Sequence, residues 1–178
     1  MPPLRYALIR TSWGVAAAVF SSAGVRRVIW PAPSADGARR AVRRLAPEAT
    51  PIPAARLPGG LARKLAEYSA GRRVDFSAVP LDLSGEPPFR ARVLGVLRTV
   101  RYGRTTTYAA LARRAGRAGG ARAAGQAVAR NPLPLIVPCH RVVRSDGSLG
   151  GFSAAGGVAV KRRLLAAEHA AGDRRSSR

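Results

Sequence analysis

Short apolar-rich runs occupy 4–10, 15–21 and 25–30, and the segments between them, Thr11-Ser12-Trp13-Gly14 and Ser21-Ser22-Ala23-Gly24, carry turn chemistry. The pattern predicts three short strands, Leu4–Arg10, Val15–Ser21 and Val25–Trp30, in an antiparallel meander. The period then lengthens. A helix is expected over Ala35–Leu45, although its arginines leave a thin apolar stripe, and residues 47–58 read as a proline-rich connection. Leu61, Leu65 and Tyr68 fall at helical spacing before Gly71, and Val74-Asp75-Phe76 is expected as a strand fragment. Residues 78–88 lose periodicity and hold Pro80, Gly85, Pro87 and Pro88, which puts a boundary there and defines a small N-terminal α/β domain over 1–84.

Beyond it the period is helical. Phe89, Val93, Val96, Leu97 and Val100 share one helix face, ending near 101–103. Thr105 to Thr107 offer an N-cap for a helix through Tyr108, Leu111 and Ala112 to Gly116. A third helix, Ala121–Arg130, follows Gly119-Gly120 and is stopped by Asn131-Pro132. Two short helices joined by a glycine-containing turn form a helix-turn-helix candidate. Residues 141–144 read as a strand entering the turn 145–148. A glycine-rich loop, 150–157, placed to close over a pocket, then leads into a helix with Val160, Leu164 and Leu165 on one side. The second domain is drawn at 85–170, and the basic tail 171–178, with Arg174, Arg175 and Arg178, is expected to be disordered.

Charge adds a partner. The net charge is +22 over 178 residues, which points to a polyanion, nucleic acid before membrane surface. Only Lys64 and Lys161 are lysines among 31 cations, so a coding bias toward arginine and alanine accounts for part of the excess. The excess is uneven: residues 1–84 hold 13 cations and 5 acids, residues 85–178 hold 18 and 4. The second half is the better DNA face. The third helix, built almost entirely of small side chains, suits either tight packing on another helix or a close fit into a groove. No apolar run reaches the roughly 18 residues of a transmembrane helix. A free thiol without an export signal makes the reducing cytoplasm the expected compartment.

The chain has one cysteine, Cys139, in Pro138-Cys139-His140-Arg141-Val142. A lone cysteine is often a buried, inert hydrophobe. Here a histidine and an arginine adjoin it, neighbours expected to depress a thiol pKa and favour the nucleophilic thiolate. A zinc site would need further ligands, and the only other histidine, His169, lacks paired spacing. A protease triad of Cys139, His140 and Asn131 is equally poor, since nucleophile and base are normally distant in sequence.

The pentapeptide, with Asn131-Pro132 at this spacing before it, resembles the active-site signature of the O6-alkylguanine-DNA alkyltransferases. The resemblance covers Phe89 to Glu168; residues 1–84 share only length and broad strand-helix order with the family. It implies a fold of class α/β, with a ribonuclease H-like N-terminal domain and a winged-helix-like C-terminal domain that binds the minor groove and flips an alkylated guanine. Cys139 matches the alkyl acceptor, His140 the histidine that activates it through a bridging water, and Glu168 the acid that orients that histidine. An extended backbone would point adjacent side chains apart and leave room for that water. Tyr108 matches the tyrosine that protonates the departing guanine, and Arg122 the finger that fills the vacated base stack.

Ala123, Gly125, Ala127 and Val128 are expected as the further DNA-contact positions of the recognition helix. Asn131 matches the residue that stabilises the turn into the active-site segment. The resemblance implies that Pro138, Arg141 and Val142 shape the pocket and that Ser153 lines it, from a loop longer than in some relatives. The resemblance implies a monomer acting once per molecule on duplex DNA that carries alkylated guanine, with no cofactor and no metal. The alternative is a lesion-binding alkyltransferase-like module without transfer, whose members lack the cysteine.

Overall fold

The computed structural model describes residues 3–173 and divides into two compact units, Met1–Ser84 and Gly85–Arg178. The first is built on the meander: β1 (Arg5–Thr11), β2 (Gly14–Ser21) and β3 (Gly24–Ala32) pair antiparallel. Helix α1 (Ala35–Leu45) starts where Ser34 Oγ accepts from Gly37 N. It lays Ala38 and Val42 on Leu4, Ala17 and Val19 of one sheet face. Ala7 and Ile9, of opposite parity on β1, are buried on the other side, and α2 (Leu61–Ser69) packs against that strand. A sheet covered on both faces buries both parities of its inner strand, so β2 reads as a continuous apolar run with its alanines buried on either side.

Two expectations change here. The proline-rich connection contains a strand, β4 (Thr50–Pro51), parallel to β1 and giving the order β3-β2-β1-β4. Proline is tolerated in so short an edge strand. Val74-Asp75-Phe76 forms no strand. Its alternation reports burial alone, because Val74 and Phe76 insert as anchors, Phe76 edge-on to Tyr68 with centroids 5.8 Å apart. The backbone meets the sheet later, where Val25 N donates to Pro80 O and Asp82 N to Val25 O. A Cβ on Gly24 would lie 2.5 Å from the Pro80 carbonyl carbon, so only glycine permits that approach.

In the second unit, α3 (Pro88–Arg98), α4 (Tyr108–Arg114) and α5 (Ala121–Ala129) pack on one another. Thr107 caps α4, its Oγ1 accepting from Ala110 N at 3.1 Å. Two short strands, β5 (Thr106–Thr107) and β6 (Val142–Val143), pair in parallel. Residues 141–144 are therefore strand for two residues only. The last helix, α6 (Gly157–Asp173), runs past the expected start of the basic tail; 174–178, with Arg174, Arg175 and Arg178, lie outside the described residues. Among the described residues no helix is long and apolar enough to cross a membrane.

Candidate active site

The parallel β5–β6 ladder aligns two chain segments. Thr107 partners Val143, so Tyr108 at the start of α4 is brought beside the segment that ends in Cys139, His140 and Arg141. That segment begins at Asn131. Its Oδ1 accepts from Leu133 N at 3.0 Å, and its Nδ2 donates to Val137 O at 2.9 Å, closing a loop across six residues. Inside the loop Leu135 follows Pro134 at φ 73°, a left-handed conformation that costs a non-glycine residue about 1–3 kcal/mol. Its side chain, 2% exposed, is the anchor that holds it there.

Cys139, His140 and Arg141 form a single 3-10 turn, all three buried. This replaces the extended backbone expected of the motif. His140 Nε2 lies 2.9 Å from Glu168 Oε1. Arg141 grips the same carboxylate with Nε and Nη2 at 2.8–3.2 Å and gives Nη1 to Val100 O at 2.7 Å. Gly103 N adds a fourth donor group, 3.0 Å from Oε2. Burial pushes the Glu168 carboxyl up, but the hydrogen bonds from His140 and Arg141 outweigh it and hold the group well below the ordinary carboxylate range. Burial holds His140 below its usual value against the pull of Glu168, so the ring is neutral near pH 7. With Nε2 committed to the carboxylate, Nδ1 is the nitrogen able to accept a proton.

Arg141 thus faces Glu168, with the Tyr102 ring 5.6 Å from its guanidinium carbon. The expected depression of the thiol by its neighbours is not what the fold produces. Burial raises Cys139 above its ordinary value, and the opposing influences are a hydrogen bond from Asn131, backbone N–H groups and the charge of Lys161. The site keeps a thiol until something removes the proton.

Tyr108 is half-buried between two glycines. A Cβ on Gly125 of α5 would touch its ring at 3.7 Å, and one on Gly150 would come within 3.1 Å of its hydroxyl. Burial, followed by the charge of Cys139, raises its pKa, so the phenol holds its proton.

On α5, Arg122 is exposed and Ala123 and Gly125 are half-exposed, whereas Ala127 and Val128 are each 6% exposed and join Ala124 on the inner face. The periodicity 124, 127, 128 turns them into the core, so the outward set is Arg122, Ala123, Gly125 and Gln126. Arg117, Gly119, Gly120, Arg122, Ala123 and Gln126 line a concavity of about 490 Å³ at the start of this helix. Pro138 and Val142 are buried against the turn, and Ser153 is exposed in the irregular loop.

Sequence reasoning missed Lys161. The buried stripe of α6 is Lys161, Leu164, Leu165 and Glu168, spaced i, i+3, i+4, i+7, while Val160 is only half-buried. A lysine is ordinarily read as solvent-facing. The available signal was its rarity, two lysines among 31 cations, since an ammonium can converge three donors where a planar guanidinium cannot. Among the described residues no group of three or more His, Cys, Asp or Glu is placed to hold a metal ion.

The second unit is therefore a helical module built around one buried thiol and a histidine tethered to a carboxylate. Residues 88–170 match the family described as 6-O-methylguanine DNA methyltransferase, DNA binding domain. The methylated-DNA--protein-cysteine methyltransferase of Methanothermobacter thermautotrophicus is 48% identical over 98 residues, 55% of this chain and 53% of that protein, so the match spans about half of that relative. A DNA base-flipping protein of Thermus thermophilus is 44% identical over 122 residues, 66% of this chain and 80% of that protein. Among solved structures, Mycobacterium tuberculosis OGT in complex with DNA aligns with a TM-score of 0.76 at 32% identity, covering 94% of each chain. The chain belongs to the O6-methylguanine-DNA methyltransferase family.

Proposed function

We propose that the protein repairs DNA by direct reversal, moving a methyl or other alkyl group from O6-alkylguanine in duplex DNA to Cys139 Sγ once per molecule. The observation that carries this reading is the buried Cys139 next to a neutral His140 whose Nε2 is fixed by Glu168. The thiol proton passes through a water to His140 Nδ1. Sγ then bonds the alkyl carbon, and the carbon–O6 bond breaks with its electron pair left on guanine. Tyr108 Oη, which holds its proton, neutralises the departing base. The thioether that forms has no activated leaving group, so the protein is consumed.

In this reading the second unit is a winged-helix-like DNA-binding domain over 85–170, with α4 and α5 as the helix-turn-helix and Arg122 filling the stack after the base rotates out. The first, over 1–84, is a ribonuclease H-like domain. The protein works as a monomer in the cytoplasm. The similarity to a base-flipping protein favours one competing reading, lesion binding without transfer, and the presence of Cys139 speaks against it.

Incubation with duplex DNA carrying one O6-methylguanine, followed by intact mass and peptide mapping, tests the choice. One methyl on Cys139, and none on Cys139→Ser with lesion binding retained, is expected. Lesion binding by the wild type without methyl gain would leave the binding module, and turnover beyond one equivalent would sink the mechanism.

A further inference from the structure

Lys161 is fully buried, and the transfer chemistry described above does not use it. Its Nζ donates to Val142 O at 2.6 Å, to Leu149 O, and to Gly151 O at 3.4 Å. Three acceptors around one nitrogen match the three donors of an ammonium; a neutral amine would leave one carbonyl short. The acceptors come from two places. Val142 is the first residue beyond the Cys139–Arg141 turn, and Leu149 and Gly151 flank Gly150, the residue against which the Tyr108 hydroxyl rests. One cation thereby joins the cysteine segment to the backing of the tyrosine. Burial raises the Cys139 thiol's pKa; held on the Val142 carbonyl just past the cysteine turn, the Lys161 charge pulls it down.

We propose that Lys161 is the positioning residue of the transfer site, seating Gly150 against Tyr108 and supplying the fixed positive charge that stabilises Cys139 once its proton has left. The proposal deepens the alkyl-transfer reading and rests on it for the roles of Cys139 and Tyr108. The titratable and charged groups that interact with Lys161 are Cys139 and His140, with Arg144 adding a like charge; Tyr108 interacts in turn with Cys139 and Arg144. Before reaction the ammonium faces a thiol, during it a thiolate, and afterwards a thioether. The charge is complementary only to the middle state, and stabilisation confined to that state speeds the reaction.

The charge role is read on the thiol without alkylguanine, so its failure is separable from failure of the repair reading; only the seating role is read through transfer. In the full-length protein, iodoacetamide reaction at Cys139 is followed against pH for wild type, Lys161→Met and Gly150→Ala. Lys161→Met is expected to move the reactivity midpoint up by about one pH unit or more, as loss of a charge next to a buried group does. Gly150→Ala presses on Tyr108 and leaves the cation in place; it should keep the wild-type midpoint while slowing transfer from free O6-benzylguanine at least tenfold. A second measurement needs no altered lysine: the Lys161 Cε resonance should inflect at the pH where Cys139 ionises and lose that inflection in Cys139→Ser. An unmoved midpoint in folded Lys161→Met, or a Lys161 titration indifferent to Cys139→Ser, overturns the charge role. Unchanged transfer in Gly150→Ala overturns the seating role.

Discussion

The two units bury different things. Among the described residues, the buried polar side chains of the first are Ser21, Ser69 and Asp82, and those of the second are His140, Arg141, Lys161 and Glu168. Asp82 sits at the edge of the first core, where Ser21 Oγ donates at 2.7 Å, Ser84 donates through N and Oγ, and Arg26 approaches to 3.7 Å. Glu168 instead lies 1% exposed among two cationic or titratable partners, on a helix that also buries a lysine. Stability alone argues against such an arrangement, because a buried ion pair rarely outperforms apolar packing of equal volume. The first unit reads as a scaffold, and the second gives up stability to hold a chemical geometry.

The largest expected difference comes from removing the two carboxylates in turn. Glu168→Ala leaves Arg141 buried without its anion and frees the His140 ring, which should destabilise the second unit by about 3–5 kcal/mol and abolish transfer. Asp82→Ala strands neutral hydroxyls and a partly exposed arginine, for about 1–3 kcal/mol. Probes separate the units, because both tryptophans, Trp13 and Trp30, lie in the first and the single cysteine in the second. Denaturant unfolding followed by tryptophan emission should respond to Asp82→Ala, and Cys139 exposure to a thiol reagent should respond to Glu168→Ala. Equal shifts of both probes in both variants would mean that the units unfold together and the contrast is energetically empty.

Acid should find the same asymmetry. His140 is neutral when folded, and the unfolded chain protonates it below about pH 6.5, so stability falls as pH drops through that value. Glu168 stays ionised in the fold while its unfolded counterpart takes up a proton below about pH 4.3; the loss steepens there and ends only when the folded carboxyl itself protonates. Burial raises Asp82, yet hydrogen bonds from Ser84 and Ser21 and the charge of Arg26 leave it lowered, so its contribution is lost only below about pH 3.9. Cys139 exposure should therefore begin to rise some two pH units before the tryptophan signal moves. A common onset would break the distinction.

How much of this was legible followed from what each residue type ordinarily does. The meander and α1 are readable because short apolar runs and then a helical period sit between clear turns, and Ser34 is a good cap. β4 is not, since two residues in a proline-rich stretch carry no period, and Val74 and Phe76 carry a period without a ladder. In the site, Cys139, His140 and Glu168 were named and the fold brings them together, across 28 residues between histidine and glutamate. The thiol's direction is not legible from sequence, because adjacency does not make a charge face its neighbour and the 3-10 turn sends Arg141 to Glu168. Ala127 and Val128 were placed on the groove because α5 is small on all sides, so composition could not tell its inner face from its outer one.

The smallest effects should come from the charges that dominate the composition. Arg40 and Arg44 are exposed on α1 at a spacing where like charges cost about 0.2–0.5 kcal/mol, and Arg44 is compensated by its place in the last turn. Arg40→Gln relieves the repulsion and should raise the tryptophan-detected stability by no more than that amount in dilute buffer. The gain should vanish near 1 M salt, where screening acts within about 3 Å. Arg162, exposed and next to the buried Lys161, offers the matching position in the second unit; Arg162→Gln should stay within about 0.5 kcal/mol of wild type. If either substitution moved its unit by more than 1 kcal/mol, the contrast would have to be redrawn around surface charge instead of the four groups buried in the second unit.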